Sequence, residues 1–426
     1  MVKRVLMVAF HFPPLRGSSG IQRTLKFTQY LPQLGWQPLL LSAHPRAFPQ
    51  QGPDQLGEIP ADTVVQRAFA LDTARHLSLA GRYLKWMALP DRWSSWLLGA
   101  VPAGLALVRR YRPQVLWTTY PIATAHLVGL VLHKLTGLPW VADLRDPMTD
   151  TDYPTDALTR RVYLWLERQT VRHCTLAVCT TPGAVADYRA RFPAVPRERF
   201  VLIENGYDEE NFRAAQAAAR APGQPFTLVH SGIIYPSERD PGALFAALSA
   251  LRARGAIDAG RLRLVLRATG HDDYVTALLQ RHGIADLVQL APHVAYRDAL
   301  AEMLGADGLL ILQASNCNRQ IPAKLYEYLR AGRPILALTD PAGDTAATLH
   351  GAGIDTQAPL DDAVAIEQAL LRFLDLAAAG QAPLPAPAAV AGASRQARSV
   401  QLAQMLDAAA GTTYSPPAPA GQTEEA

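Results

Sequence analysis

Short apolar runs alternate with helix-like segments along most of this chain, and this alternation restricts the fold more than any single motif does. The first such unit is a strand at residues 5–10, a helix at 21–34 and a second strand at 38–42. Parallel sheets with crossover helices produce this pattern. The pattern restarts after Asn205 and Gly206. We therefore expect an α/β chain with two doubly wound domains in tandem.

The expected domain boundaries follow from shifts in composition. A chain of 426 residues exceeds what one hydrophobic core usually fills, so two domains of ordinary size are expected. We assign the first to residues 1–212 and the second to 213–380, with the Ala-, Arg-, Pro- and Gly-rich run 214–223 as the linker. Residues 381–410 are predicted to form a further linker and a last helix, and 411–426 a disordered tail.

Composition also narrows the class of protein. Hydrophobic residues make up 49% of the chain and charged residues 18%, which is typical of a soluble globular protein. The longest apolar run, residues 96–108, contains Pro102 and is shorter than the roughly 20 residues that a membrane-spanning helix needs. The three cysteines lack CxxC spacing and cannot all pair, which favours a reducing compartment. We expect a cytoplasmic protein.

A glycine-rich loop follows the first predicted strand. Gly17 and Gly20 have GxxG spacing, without the GxG pair that lets a backbone approach a pyrophosphate closely. The second strand ends at Ser42, and no acidic residue follows at the place where a dinucleotide site holds a ribose. The loop is therefore a poor dinucleotide site. Because it leads into the start of a helix, it suits a sugar or phosphate oxygen, unless the glycines merely make the turn.

The run IPAKLYEYLRAGRPILAL, residues 321–338, is the most specific motif of the second half. Pro322 suits a first helical turn, which places Lys324 near the helix amino terminus, where the helix dipole disfavours a cation. A bound anion would remove that conflict. Glu327 lies three residues further on the same face. This geometry suits phosphate on Lys324 and hydroxyl groups on Glu327, and the alternative is a surface ion pair.

The run ADLRDPM places three ionisable residues at the end of a predicted buried strand. Asp143 ends the strand, and Arg145 and Asp146 follow at the carboxyl edge of the sheet, where α/β proteins bind ligands. One reading is that Asp143 or Asp146 accepts a hydroxyl proton or stabilises a positive reacting centre, with Arg145 orienting it. The other is a structural ion pair. The spacing does not match a metal-binding DxD motif, so no metal is expected.

Five segments occur together in an order and at a spacing that resemble a known family. They are FPPLRGSSGIQRTLKFTQYLPQLGWQPLLLS, LPWVADLRDPM, IENGYDEENF, HSGIIYPSERDP and the run at 321–338. The chain resembles the family 4 glycosyltransferases of the GT-B fold over residues 3–380. The resemblance implies two Rossmann-like domains facing across a cleft, with ASRQARSVQLAQMLD as a last helix that crosses back to the first domain.

The same resemblance implies an activity and assigns residues to it. It implies a retaining, metal-independent transfer of a hexose from a nucleotide-sugar donor, which is a substrate, so no cofactor is expected. Lys324 and Arg239 would contact the donor pyrophosphate, and Glu327 the nucleotide ribose. The donor site as a whole would comprise Arg239, Lys324, Glu327, Gly232 and Arg319. Gly17, Gly20 and Asn205 would line the cleft, and Asp143, Arg145 and Asp146 are the candidate catalytic residues.

The chain departs from the family pattern at three positions. Arg319 stands where the first glutamate of a paired-glutamate motif would hold the donor sugar, and Thr119 and Arg145 stand where histidines are frequent. Two alternatives stay open. A nucleotide-sugar epimerase has the same double-Rossmann shape, although Arg319 in place of a glutamate argues against it. A non-catalytic protein that binds nucleotide-sugars is favoured by the missing histidine and the missing first glutamate.

The acceptor side carries the weakest pattern. Residues 82–112 mix tryptophans with lysines and arginines around an apolar stretch, which suits the headgroup region of an anionic membrane, although core packing explains the pattern equally well. We therefore expect a glycan or lipid-linked acceptor in the assembly of surface polysaccharide, peripheral contact with the inner face of the cell membrane, and no nucleic-acid partner.

Overall fold

The computed structural model describes residues 2–16, 20–53, 55–150, 153–217 and 223–411. These residues form two compact units. The first comprises Met1–Cys179, Asp187–Ile203 and Arg398–Ala426, and the second comprises Thr180–Ala186 and Glu204–Ala397. The division falls earlier than the predicted boundary after residue 212, because Tyr207 and Phe212 are buried in a core of the second unit.

The first unit contains a parallel seven-stranded sheet in the order β3-β2-β1-β4-β5-β6-β7. Its strands are β1 (Lys3–Val8), β2 (Trp36–Ala43), β3 (Val64–Ala68), β4 (Val115–Thr119), β5 (Trp140–Arg145), β6 (Leu176–Cys179) and β7 (Phe200–Leu202). The helices along this part of the chain are α1 (Gly20–Tyr30), α2 (Thr73–His76), α3 (Trp96–Tyr111), α4 (Ala123–Thr136), α5 (Ala157–His173) and α6 (Pro182–Arg191). The strand order reverses between β1 and β4, which opens a crevice at their carboxyl ends.

The second unit repeats this architecture with a six-stranded parallel sheet in the order β10-β9-β8-β11-β12-β13. After α7 (Glu209–Ala214), its strands are β8 (Phe226–Ser231), β9 (Leu262–Arg267), β10 (Val288–Ala291), β11 (Gly308–Leu312), β12 (Ile335–Leu338) and β13 (Gln357–Ala358). Its other helices are α8 (Gly242–Ala253), α9 (Asp272–His282), α10 (Tyr296–Gly305), α11 (Lys324–Ala331), α12 (Asp344–Gly351), α13 (Ala363–Ala378) and α14 (Pro387–Gly392). Here the order reverses between β8 and β11.

The last helix, α15 (Arg395–Ala409), returns the chain to the first unit. Leu402 and Leu406 are buried in the core of that unit. Asp407 accepts hydrogen bonds from Lys3 Nζ at 2.5 Å and from the indole nitrogen of Trp36 at 3.1 Å. The carboxyl-terminal helix is thus fixed to the first two strands of the sheet by apolar packing and by a carboxylate.

The predicted α/β pattern is confirmed, with local differences. The helix predicted at 21–34 ends as an α-helix at Tyr30 and continues as a 3₁₀ turn, where Pro32 cannot donate a backbone hydrogen bond. Several elements were not predicted: helices α2, α3, α5, α6, α7, α10, α12, α13 and α14 and strands β7 and β13. Residues 218–222 of the predicted linker and 412–426 of the predicted tail lie outside the described residues. None of the described helices is long and apolar enough to cross a membrane.

Candidate active site

The predicted donor-site residues meet at the carboxyl edge of the sheet of the second unit. Gly232 directly follows β8, and Arg239 lies in the loop that leads from it to α8. Helix α11 begins at Lys324 after the loop that follows β11. Since β8 and β11 flank the reversal of strand order, these residues lie where doubly wound sheets bind ligands.

Lys324 is held by a histidine that the sequence analysis did not select. The Lys324 Nζ atom lies 3.1 Å from Nε2 of His230, the buried penultimate residue of β8. His230 Nδ1 lies 2.9 Å from the carbonyl oxygen of Leu310, so Nδ1 carries the proton and Nε2 accepts from the lysine. Burial, and then the charge of Lys324, lowers the pKa of His230 well below its usual value. His230 is therefore a neutral acceptor.

The ammonium group of Lys324 is desolvated by burial. Burial, and then the charge of Arg239, lowers the pKa of its ammonium group to about 7, although Glu327 acts in the opposite sense. Among the described residues, no carboxylate forms an ion pair with Lys324. Gly232 has a φ of 122°, and a Cβ there would lie 2.9 Å from Lys324 Nζ. The glycine is therefore needed both for the turn and for the position of the lysine.

Glu327 and Arg239 complete this edge of the second unit. The Glu327 Oε1 atom accepts a hydrogen bond of 2.6 Å from the hydroxyl group of Tyr296, and burial raises the pKa of the glutamate. Arg239 donates from Nη1 to the carbonyl oxygen of Ile233 at 3.0 Å, and its guanidinium group lies 5.4 Å from the ring centre of Tyr235. These contacts fix one carboxylate and one guanidinium group near Lys324.

Arg319 lies in the exposed part of the loop between β11 and α11. Its carbonyl oxygen accepts a hydrogen bond of 2.7 Å from the hydroxyl group of Thr181. The neighbouring Asn318 donates from Nδ2 to Asp340 at 2.7 Å, and its buried Oδ1 has no hydrogen-bond partner among the residues described. The loop is thus fixed through its backbone and Asn318.

In the first unit, Asp143 forms a buried ion pair with a residue that sequence reasoning did not pair with it. Arg23 of α1 donates from Nε and Nη2 to the two carboxylate oxygens at 2.9 and 2.8 Å. The hydroxyl group of Thr119 donates to Oδ2 at 2.7 Å. Asp143 is fully buried and Arg23 is 3% exposed. Of the two readings for this strand end, the ion-pair reading describes Asp143, but its partner is Arg23 rather than Arg145.

Arg145 occupies an irregular end of β5. Its φ is 60°, and the pairing with β6 shifts register between Asp143 and Arg145. Its Nη1 atom donates to the carbonyl oxygen of Tyr120 at 3.2 Å, and the next residue, Asp146, is half-buried. His11, which follows β1, was also not selected from the sequence; burial and the charge of Arg145 lower its pKa to about 3.

The three predicted cleft residues fall in different places. Gly17 lies outside the described residues, whereas Gly20 is the buried first residue of α1. Asn205 is half-buried in the second unit, shortly before α7. Within the described ranges, no group of three or more histidine, cysteine, aspartate or glutamate side chains is arranged to hold a metal ion.

Comparison with known proteins agrees with this architecture. The family model of the glycosyl transferase 4-like domain matches residues 20–206. No curated protein matches the chain. Among solved structures, sucrose-phosphate synthase from Thermosynechococcus elongatus is 14% identical, with a TM-score of 0.61 and 96% of each chain covered. HepE from Anabaena in complex with UDP is also 14% identical, with a TM-score of 0.61 over 95% of this chain and 100% of that one.

A UDP-N-acetylglucosamine 2-epimerase is 11% identical, with a TM-score of 0.56 over 97% of this chain and 100% of that one. At these identities the likeness concerns the fold, and it confirms the predicted GT-B type with two doubly wound α/β domains. The family model, in contrast, matches the sequence itself. By that match, residues 20–206 belong to the glycosyl transferase 4-like domain family, and the chain as a whole has the GT-B type of fold.

Proposed function

We propose that the chain transfers a hexose from a nucleotide-sugar to a hydroxyl group of a glycan acceptor, with retention and without a metal ion. One observation carries the proposal: Lys324 lies at the start of α11 beside Arg239, held by a neutral histidine and without a carboxylate in ion-pair contact. A departing nucleoside diphosphate gains negative charge, and fixed cations in a desolvated site stabilise that charge.

Other residues at the same edge of the second unit supply the remaining contacts with the donor. Glu327 is fixed through Oε1 by Tyr296, which leaves its other oxygen to accept hydrogen bonds from ribose hydroxyl groups. The loop that contains Asn318 and Arg319 would contact the sugar. Because HepE from Anabaena was solved with UDP and with UDP-glucose, uridine diphosphate sugars are the first donors to test.

On the acceptor side we favour Asp146 over Asp143 as the group that accepts a proton or stabilises positive charge at the reacting carbon. Both oxygens of Asp143 already accept hydrogen bonds from Arg23, and one of them also accepts from Thr119. Because these donors already occupy both oxygens, Asp143 is poorly placed to accept a proton from a substrate hydroxyl group. Asp146 is half-buried in the loop that follows the strand.

Product analysis tests the reaction. The purified chain is incubated with uridine, guanosine and adenosine diphosphate sugars, with or without a lipid extract from the cells that produce it, in excess EDTA. We expect one donor to release nucleoside diphosphate only when the extract is present, and to yield a new glycolipid with the donor's anomeric configuration. Loss of turnover in EDTA that Mg²⁺ or Mn²⁺ restores would contradict the metal-independent site. Isomerised donor without extract would indicate an epimerase, and donor binding without product a non-catalytic protein.

We further propose that the acceptor is lipid-linked and that the first unit contacts an anionic membrane. The segment between α2 and α3 exposes five large hydrophobic side chains to solvent. Three of them are the most exposed: Leu79 at 85%, Trp86 at 67% and Leu84 at 60%. Lys85 lies between two of them, where it pairs with Asp156. Exposed leucine and tryptophan beside basic residues suit the boundary between headgroups and acyl chains.

Vesicle flotation tests the membrane contact. Leu84→Ser/Trp86→Ser is expected to lower partitioning onto vesicles of phosphatidylglycerol and phosphatidylcholine at least about tenfold, because each buried side chain of this size contributes about 1.5–3 kcal/mol. Leu135→Ser is the matched control, since Leu135 is also 60% exposed but lies at the end of α4. Equal partitioning of the wild type and the double variant would show that this segment is not the membrane contact.

A further inference from the structure

Helix α11 carries two further polar side chains on a face that the proposed donor site does not use. Lys324 and Glu327 lie three residues apart on the donor-binding face. Tyr326 and Arg330 lie four residues apart and share a different face. The helix has only eight residues, so its position depends on its contacts rather than on its own stability. The partners of Tyr326 and Arg330 therefore help to determine where Lys324 lies.

Both of these side chains bind the same short segment of the second unit. The main part of that unit begins at Glu204, and we call residues 204–209 the entry segment. Glu209, the first residue of α7, accepts hydrogen bonds from Nε and Nη2 of Arg330 at 2.6 and 2.7 Å. At the other end of the segment, Glu204 Oε1 accepts from the hydroxyl group of Tyr326 at 3.4 Å. Helix α11 thus contacts both ends of the entry segment.

The ion pair between Arg330 and Glu209 is the stronger of the two contacts. Its two parallel hydrogen bonds fix both the distance and the orientation of the guanidinium group against the carboxylate. Both side chains are half-buried, and the guanidinium group also lies 5.2 Å from the ring centre of Phe212. The hydrogen bond from Arg330 lowers the pKa of Glu209. The pair is therefore a specific link between α11 and the entry segment.

The entry segment is in turn attached to the segment by which the chain leaves the second unit. The amide of Tyr207 donates to the carbonyl oxygen of Ala393 at 3.1 Å, and its carbonyl oxygen accepts from the amide of Arg395 at 2.7 Å. A Cβ on Gly206 would lie 2.5 Å from the Ala393 oxygen, so the glycine permits this close approach. Tyr207 and Ala393 belong to the same apolar core as Leu325 of α11. A displacement of α11 would therefore affect both segments.

We propose that the ion pair between Arg330 and Glu209 couples donor binding to the entry segment. A diphosphate on Lys324 fixes the start of α11 and so favours the arrangement in which Arg330 meets Glu209. Such coupling is reciprocal, because a ligand that stabilises the segment is itself bound more tightly, by the same factor, when the segment is in place. This inference rests on the proposed function, since it assigns a regulation to the same donor site.

Amide hydrogen exchange of the full chain, with and without UDP, tests the coupling. The reporters are the amides of Tyr207 and Arg395, because each donates a hydrogen bond that joins the two segments. Saturating UDP is expected to slow their exchange at least about fivefold, which is the lower end of the usual coupling between two sites. In Arg330→Met, the same occupancy by UDP should change their exchange by less than about twofold.

Calorimetry with UDP tests the reciprocal effect. Arg330→Met and Glu209→Met are each expected to raise the Kd at least about fivefold, and the double variant no further, because each single change already removes the pair. Arg330→Lys keeps the charge without the two parallel hydrogen bonds and should give an intermediate Kd. Additive losses in the double variant would mean that the two residues act separately and would overturn the proposal.

Arg372→Met is the matched control. Arg372 of α13 pairs with Asp355 at 2.6 Å in the same unit, so this variant also removes an arginine from an ion pair. Its Kd for UDP, and the effect of UDP on exchange at Tyr207, should equal those of the wild type. The same loss of affinity in Arg372→Met and Arg330→Met would assign the effect to charge in general and overturn the proposal.

Thermal unfolding separates coupling from a purely structural role. A lower Tm of Arg330→Met, with the Kd for UDP and the exchange protection unchanged, would mean that the pair only supports the fold. The Lys324→Ala protein separates this inference from the proposed function. If UDP affinity depends on Lys324 but not on Arg330, the coupling fails and the proposed donor site stands. If it depends on neither, both fail.

Discussion

Lys324→Ala is expected to raise the Kd for the donor nucleoside diphosphate at least about tenfold and to lower turnover by about 10²–10³. The first effect is the loss of a charge-assisted hydrogen bond to a phosphate oxygen, which contributes about 1.5–3 kcal/mol. The second is larger because the leaving group carries more charge in the transition state than in the bound donor. Calorimetry measures the first effect and steady-state kinetics the second.

The pH dependence provides an independent check of the same lysine. Its pKa is lowered to about 7, so the ammonium form is lost as the pH rises through 7, and phosphate binding must restore the proton. In the wild type, affinity should fall with pH above 7, by up to about tenfold per pH unit, until the pKa of the complex is reached. This trend should be absent in Lys324→Ala. Equal affinities of the wild type and Lys324→Ala for the nucleoside diphosphate would show that Lys324 does not bind the donor.

Arg23→Met is expected to lower the free energy of unfolding of the first unit by about 3–5 kcal/mol, because it leaves the carboxylate of Asp143 buried without its partner. Urea unfolding followed by tryptophan fluorescence measures this change. All seven tryptophans of the chain lie at positions 36–165, within the first unit. The signal therefore reports that unit even if the second unfolds separately.

The double variant Arg23→Met/Asp143→Leu supplies the control. Replacement of both members of a buried ion pair by apolar residues is often neutral, so the double variant should recover most of the stability lost in the single one. Additive losses would mean that the two side chains do not act as a pair. If Asp143 were instead the proton acceptor, the refolded double variant would lack activity in full, whereas Asp146→Asn would retain it.

The fold was predictable because it depends on patterns that repeat. Strand β12 is apolar at every position and β1 is apolar from Val5 onward, as expected of parallel strands covered on both faces. Helices α3 and α5 were missed for different reasons. The first contains Pro102 within its helical range. The second contains two arginines, one tyrosine and one tryptophan in its first ten positions, which obscures its apolar face.

The site was predictable only where one motif contained both partners. Lys324 and Glu327 share the first turn of α11, so their spacing alone indicated a common face. His230 and Lys324 are separated by 94 positions, and Arg23 and Asp143 by 120. Such pairs depend on which strands are neighbours and on where each helix begins, and a single sequence does not specify these. A histidine directly after the apolar pair Leu228 and Val229, near the end of a strand, was the available signal for His230.

The return of α15 to the first unit bears on how the chain is synthesised. That unit needs Leu402 and Leu406 in its core and Asp407 beside Lys3 and Trp36. Residues from the two ends of the chain therefore complete one fold. During translation, the first sheet emerges from the ribosome long before its last helix and must wait for about 200 further residues, at ~5–20 residues per second, while the second unit becomes complete. The unit that begins first is thus the last to finish, and its uncovered apolar face is exposed to chaperones in the meantime.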